Sequence, residues 1–261
     1  MAGFVRTLEQ VEEAIRGRLK AQLKAPDVSV GLVEMRSQPV SVLRTIDLET
    51  RGEAEVPLGS SLVLSGYLVD DDTGAHVERT AGFCRLIATL ARELPQYAGQ
   101  IDDEFIATIY RASPLHDIGK VGISDQILLK PGKLTPEEFT IMKSHVEIGY
   151  QTLKSVEKRY ENNAFIKMGL DITRFHHEKW DGTGYLFERK GTDIPLSARI
   201  MALSDVYDAL RSRRVYKEPF SHQMSVAIIA EGREKHFDPA LADVFLAAEG
   251  EFELLYDSLS G

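Results

Sequence analysis

His176-His177-Glu178-Lys179-Trp180-Asp181-Gly182-Thr183-Gly184-Tyr185 carries two adjacent histidines straight into a glycine-rich turn. Neighbours on a regular helix point about 100° apart and cannot easily serve one centre, so the helix that delivers them is expected to end here. Asp181-Gly182 and Thr183-Gly184 supply that ending, because both dipeptides force a turn. Taken alone, the stretch is more plainly a polar helix terminus. It does not stand alone: Asp72, His76, His116, Asp117, His145 and Asp205 are further potential ligands, and together they have the signature of a polynuclear metal site. Nitrogen and oxygen donors without thiolate favour iron or manganese over structural zinc.

Working outward, Asp72 and His76 stand four apart at an expected helix start and so share one face. His116 and Asp117 are followed closely by Lys120, which puts an imidazole, a carboxylate and an ammonium on one short segment. His145 falls beside the apolar positions Phe139, Met142, Val146 and Leu153, where a single histidine is more often a core residue than a ligand. Asp205 lies on a helix whose expected buried stripe is Ile200, Leu203, Val206 and Leu210. Its carboxylate therefore borders the core and needs a partner, an arginine or a cap if no cation is present.

The fold class expected is mainly α, a helical bundle over 63–261 preceded by a small mixed α/β module over 1–62. Leu8, Val11, Ile15, Leu19 and Leu23 recur at helical spacing over 7–24, and Val28 to Val33 and Pro39 to Leu48 alternate as strands do. From about residue 60 the pattern turns helical, with helices expected near 75–94, 101–113, 135–157, 161–178, 195–211, 221–231 and 239–259. No repeat or low-complexity stretch points to a solenoid. Net charge is −9, which argues against a long nucleic-acid partner and leaves any anionic substrate to be drawn by local positive charge. Cys84 is the single cysteine, which excludes an internal disulfide, fits a reducing cytoplasm and is expected to be inert packing. The longest apolar run, Leu62 to Val69, is too short to span a bilayer, and no signal-peptide pattern opens the chain, so a cytoplasmic protein is expected.

His116-Asp117-Ile118-Gly119-Lys120, Lys130-Pro131-Gly132-Lys133-Leu134-Thr135, His145, the 176–185 run, Asp205-Val206-Tyr207-Asp208-Ala209-Leu210 and Arg214-Val215-Tyr216-Lys217 follow one another in an order that resembles the HD-GYP subgroup of HD-domain phosphohydrolases. The resemblance covers roughly residues 70 to 245. It implies an all-helical domain that hydrolyses the bacterial second messenger cyclic di-GMP, or a related cyclic dinucleotide, to linear pGpG and/or GMP at a centre of two iron or manganese ions. By position it implies that His76, His116, Asp117 and Asp205 hold one metal, with Asp117 bridging to a second held by His145, His176 and His177; Asp72 is the added ligand through which a third site would form. Two adjacent cations make water nucleophilic at neutral pH and offset phosphate charge.

On the same resemblance Lys120 and Asp117 are the catalytic residues, Lys120 neutralising the transition state or assisting the leaving group, and Arg214, Lys217, Tyr185, Gly184 and Asp208 are the substrate contacts. Partners implied by the family habit are a diguanylate cyclase or other signalling proteins and a second copy of the chain. The pattern is broken where Gly-Tyr-Pro is expected: this chain reads Gly184-Tyr185-Leu186, and Glu188 and Arg189 stand where glycine and leucine belong. Losing proline frees φ at 186 and losing glycine at 188 removes easy access to positive φ, so a changed loop path is expected at unchanged length. That loop motivates a second reading, a module that binds a cyclic dinucleotide or a protein without turnover; a general HD nucleotide phosphohydrolase is a third.

Overall fold

The computed structural model of the chain describes residues 73–157, 162–213 and 218–260. The helix expected over 7–24, the strands over 28–33 and 39–48 and the module boundary at residue 62 lie outside those residues. Among the described residues the architecture is helical: α1 Thr73–Ala91, α2 Asp103–Ala112, α3 Asp125–Leu128, α4 Pro136–Lys143, α5 His145–Glu157, α6 Ala164–Phe175, α7 Leu196–Arg211, α8 His222–Glu231, α9 Pro239–Ala247 and α10 Glu249–Ser258. No helix among them is long and apolar enough to cross a membrane.

The starts of these helices are written locally. Asp102 accepts from the Phe105 amide at 2.7 Å, Asn163 from Ile166 at 3.2 Å and Ser221 from Met224 at 3.2 Å, each satisfying an amide with no helical partner. α4 opens on a capping box of Thr135 and Glu138 with Pro136 in the first turn. Two expected helices are each divided. The 135–157 pattern breaks at Ser144, whose hydroxyl donates to the Ile141 carbonyl at 2.6 Å. The 239–259 pattern breaks at Ala248, and the turn brings Phe252 back onto Phe245, ring centroids 4.7 Å apart.

α1 runs through the middle and packs against α2, α7, α9 and α10, while α5 packs against α6. Phe83, Ile87, Ile109, Leu115, Leu153, Ile166, Ile200, Leu203, Tyr207, Phe245 and Phe252 fill the core. The Tyr207 ring meets Phe83 and Phe245 edge-on, both at 5.1 Å. Cys84 is wholly buried and burial pushes its thiol up to about 12, as inert packing requires. Two expected stripe assignments change. On α7 the core-facing positions are Tyr207 and Asp208, with Val206 and Leu210 only partly covered, and Phe139 on α4 is 47% exposed.

One contact fixes where the site forms. The short turn Ile118–Gly122 lies directly on α5, and a Cβ at Gly119 would collide with the His145 carbonyl oxygen and stand 2.5 Å from the Gly149 nitrogen. Only glycine lets the segment after Asp117 reach the helix that carries His145.

Candidate metal centre

Seven expected ligands from five segments meet. His76 sits in the first turns of α1, His116 and Asp117 follow α2, His145 opens α5, His176 caps α6 with His177 just beyond, and Asp205 lies within α7. Their donor atoms form two groups, Asp117 with His145, His176 and His177, and His76 with His116 and Asp205, each group within 4.8 Å. Asp117 stands between them: Oδ1 is 3.2 Å from His145 Nε2 and 3.9 Å from His176 Nε2, and Oδ2 is 3.1 Å from His116 Nε2. His76 Nε2 lies 3.8 Å from Asp205 Oδ1. The expected end of the helix at His176 is also met, since α6 stops at Phe175.

The imidazoles are aimed by what stands behind them. His116 Nδ1 is 2.8 Å from the Ser113 carbonyl, His145 Nδ1 2.8 Å from Met142 and His176 Nδ1 3.0 Å from Ile172. A carbonyl only accepts, so each Nδ1 carries a proton and each Nε2 is the nitrogen left facing inward to ligate. His116 Nε2, His145 Nε2, His176 Nε2 and Asp117 Oδ1 are buried with no hydrogen-bond partner. An unsatisfied buried polar atom costs roughly 1–3 kcal/mol. Four at one point would consume much of the roughly 5–15 kcal/mol that holds a domain folded. A cation removes that cost, so the donor set fits metal ions.

Electrostatics agree with the geometry. Against burial, which raises it, Lys120 and His116 hold the Asp117 carboxyl well below the usual carboxylate range. Burial works to lower His116, but the Asp117 carboxylate beside it prevails and lifts it to about 9, so His116 must shed a proton to ligate. Burial and then His116 push His176 down to about 3, and burial and His176 push His177 well below its ordinary value. Both are therefore neutral, the form that ligates. Lys120 Nζ is 2.6 Å from Asp117 Oδ2.

The remaining expected residues divide. Tyr185 stacks on His177, centroids 4.6 Å apart, at the edge of the site. Gly184 is a point of close backbone approach, where a Cβ would stand 2.6 Å from Glu178 Cα and 2.7 Å from the Lys179 nitrogen. Asp208, expected among the substrate contacts, is instead fully buried: it accepts from Arg79 Nε at 2.5 Å, Arg79 Nη2 at 3.0 Å and Ser212 at 3.1 Å, and lies 2.7 Å from His76 Nδ1. Its oxygens are engaged behind His76, so it supports that ligand rather than touching substrate. Asp72, Arg214 and Lys217 lie outside the described residues.

Arg79 and Glu178 were not anticipated. Arg79 follows His76 by one turn, and that spacing was its available signal. Glu178, itself buried, accepts the Phe187 amide at 3.3 Å and the Arg189 amide at 3.0 Å and so grips the altered loop. In that loop Leu186 has φ +90° and Glu188 φ +52°.

The HD domain family model matches residues 67–241. The chain belongs to the HD-domain family. Within it, the ordered motifs are those of the HD-GYP subgroup, with Leu186 in place of the proline. A cyclic di-GMP phosphodiesterase of Vibrio cholerae is 51% identical over 183 residues, 70% of this chain and 37% of that protein. A 3'3'-cGAMP-specific phosphodiesterase 2 of the same organism is 40% identical over 72% of this chain and 34% of its own length. A cyclic di-GMP phosphodiesterase of Thermotoga maritima is 39% identical over 74% of this chain and 49% of its own length. The chain thus spans less than half the length of these relatives.

Proposed function

We propose that this chain is a metal-dependent phosphodiesterase that hydrolyses cyclic di-GMP to linear pGpG and/or GMP. The observation that carries the reading is the convergence of three inward-facing Nε2 atoms and one carboxylate oxygen, all buried and without hydrogen-bond partners, between two His/Asp groups. The names of the relatives supply the substrate class. His76, His116 and Asp205 would hold one ion and Asp117, His145, His176 and His177 another, and iron or manganese suits such donors. When bound, the pair of cations supplies Lewis-acid activation of water and offsets charge on the phosphodiester.

The protein's own part is orientation and charge. The carbonyls of Ser113, Met142 and Ile172 keep the imidazoles in the ligating tautomer and aimed inward. Lys120 holds Asp117 ionised and is a fixed positive charge beside the reacting phosphate, where it offsets charge on the departing ribose oxygen. Arg214 and Lys217 belong to the same proposal as phosphate contacts, Tyr185 and Gly184 as the loop that borders the substrate, and Asp72 as the ligand of a third ion.

Reduced, metal-loaded protein incubated with cyclic di-GMP and chromatographed should yield linear product steadily, and His116→Ala or Asp117→Ala should abolish it. The positive φ of Leu186, a value proline cannot reach, favours one second reading, a binding module without turnover. Retained binding without product would establish that reading and reject the first.

A further inference from the structure

α4 is an odd helix. It is secured by a capping box, yet none of its residues is buried, so the core does not explain it. Phe139 and Lys143 lie four residues apart on one face. Phe139 meets the Tyr185 ring edge-on at 6.1 Å, and Lys143 Nζ lies 5.5 Å from the centre of the Phe139 ring and 5.7 Å from that of Tyr185. Tyr185 in turn stacks on His177. Phe139, Tyr185 and His177 therefore lead from solvent to the metal ligands. Lys143 is held over these two rings, in a chain of net charge −9.

Resting on the phosphodiesterase reading, we propose that Phe139 and Lys143 form a guanine subsite: a base of the cyclic dinucleotide displaces the Lys143 ammonium from over the Phe139 ring, stacks there, and accepts from that ammonium at O6 and N7. An aromatic face accepts any base, so Phe139 supplies affinity without choice. Lys143 supplies the choice. An ammonium has only donors, and guanine presents two acceptors on that edge where adenine presents an acceptor beside an amino donor. The exposed phenylalanine and the cation above it are thus the parts of a base-recognition platform set next to the ligands.

Steady-state hydrolysis of cyclic di-GMP and cyclic di-AMP by the parent chain and by Phe139→Ala, Phe139→Tyr and Lys143→Met, with metal content measured for each, tests this. Phe139→Ala should raise KM for cyclic di-GMP about tenfold with little change in kcat, and Phe139→Tyr should retain the parent KM. Lys143→Met should cut the preference for the guanine substrate about tenfold. Metal content should match the parent throughout. An unchanged KM in Phe139→Ala, an unchanged preference in Lys143→Met, or metal loss on removing the ring would overturn the subsite. Turnover by the parent with variants indistinguishable from it sinks the subsite alone. A metal-loaded parent that neither binds nor hydrolyses cyclic di-GMP sinks the proposed function, and the subsite with it.

Discussion

His76 differs from the other inward-facing histidines in having a carboxylate behind it. Asp208 bonds its Nδ1 and is itself clamped by Arg79 and Ser212, whereas His116, His145 and His176 rest on neutral carbonyls. A carboxylate partner raises the basicity of an imidazole toward a cation, and losing one typically costs about 10–100-fold in metal affinity. Asp208→Asn keeps the shape and removes the charge. It should lower metal bound per chain after dialysis against a weak chelator, with the deficit confined to the group of His76, His116 and Asp205; elemental analysis equal to the parent would refute this. The residue scale is also where sequence reading reached furthest and where it slipped. The two His/Asp groups were legible because His-Asp and His-His pairs are rare and chemically pointed. Asp205 and Asp208 share one helix face three residues apart, and nothing in the letters says which meets the pocket and which the back of His76.

The 184–189 loop shows what an element needs that its residue types do not advertise. Its register was legible, since the chain is of the expected length to Ile194-Pro195, and so was the freedom gained at 186. Its path was not. Glu188 occupies positive φ without being glycine, held because Glu178 takes the amides on either side and Phe187 packs on Phe175 at 5.4 Å. A left-handed non-glycine residue costs roughly 1–2 kcal/mol, of which glycine's added chain entropy takes back part. Glu188→Gly should therefore stabilise the chain by about 0.5–1 kcal/mol, read as a higher Tm. Leu186→Pro cannot reach φ +90° and should lower Tm while disturbing the emission of Trp180, the single tryptophan, whose carbonyl accepts from the Gly191 amide beyond the loop at 2.8 Å. The divided helices teach the same lesson. Apolar periodicity runs unbroken through Ser144 and Ala248, and the breaks come from side-chain-to-backbone bonds and from aromatic packing at a distance.

For the whole molecule, the bundle was legible from periodicity alone, while how α1 threads between α7 and α9 depends on packing that no local pattern encodes. Stability should carry a pH signature from a histidine outside the two His/Asp groups. Burial and then Lys179 pull His236 down to about 4. Unfolded histidine titrates near 6.5, so between about 6.5 and 4 the unfolded chain binds the extra proton and stability falls as pH falls. His236→Gln should flatten that slope in acid unfolding followed by Trp180, whose amide bonds the residue-236 carbonyl at 3.1 Å; an unchanged slope would place the titration elsewhere. A last consequence follows from the three imidazoles that lean on peptide oxygens. Every amino acid brings a carbonyl, so mutation of Met142 or Ile172 leaves the brace standing provided the helix ends keep their course. Lineages can rewrite the wall of the pocket without losing the engine, and an engineer grafting this centre onto another bundle should copy the way those helices terminate before copying any neighbouring side chain.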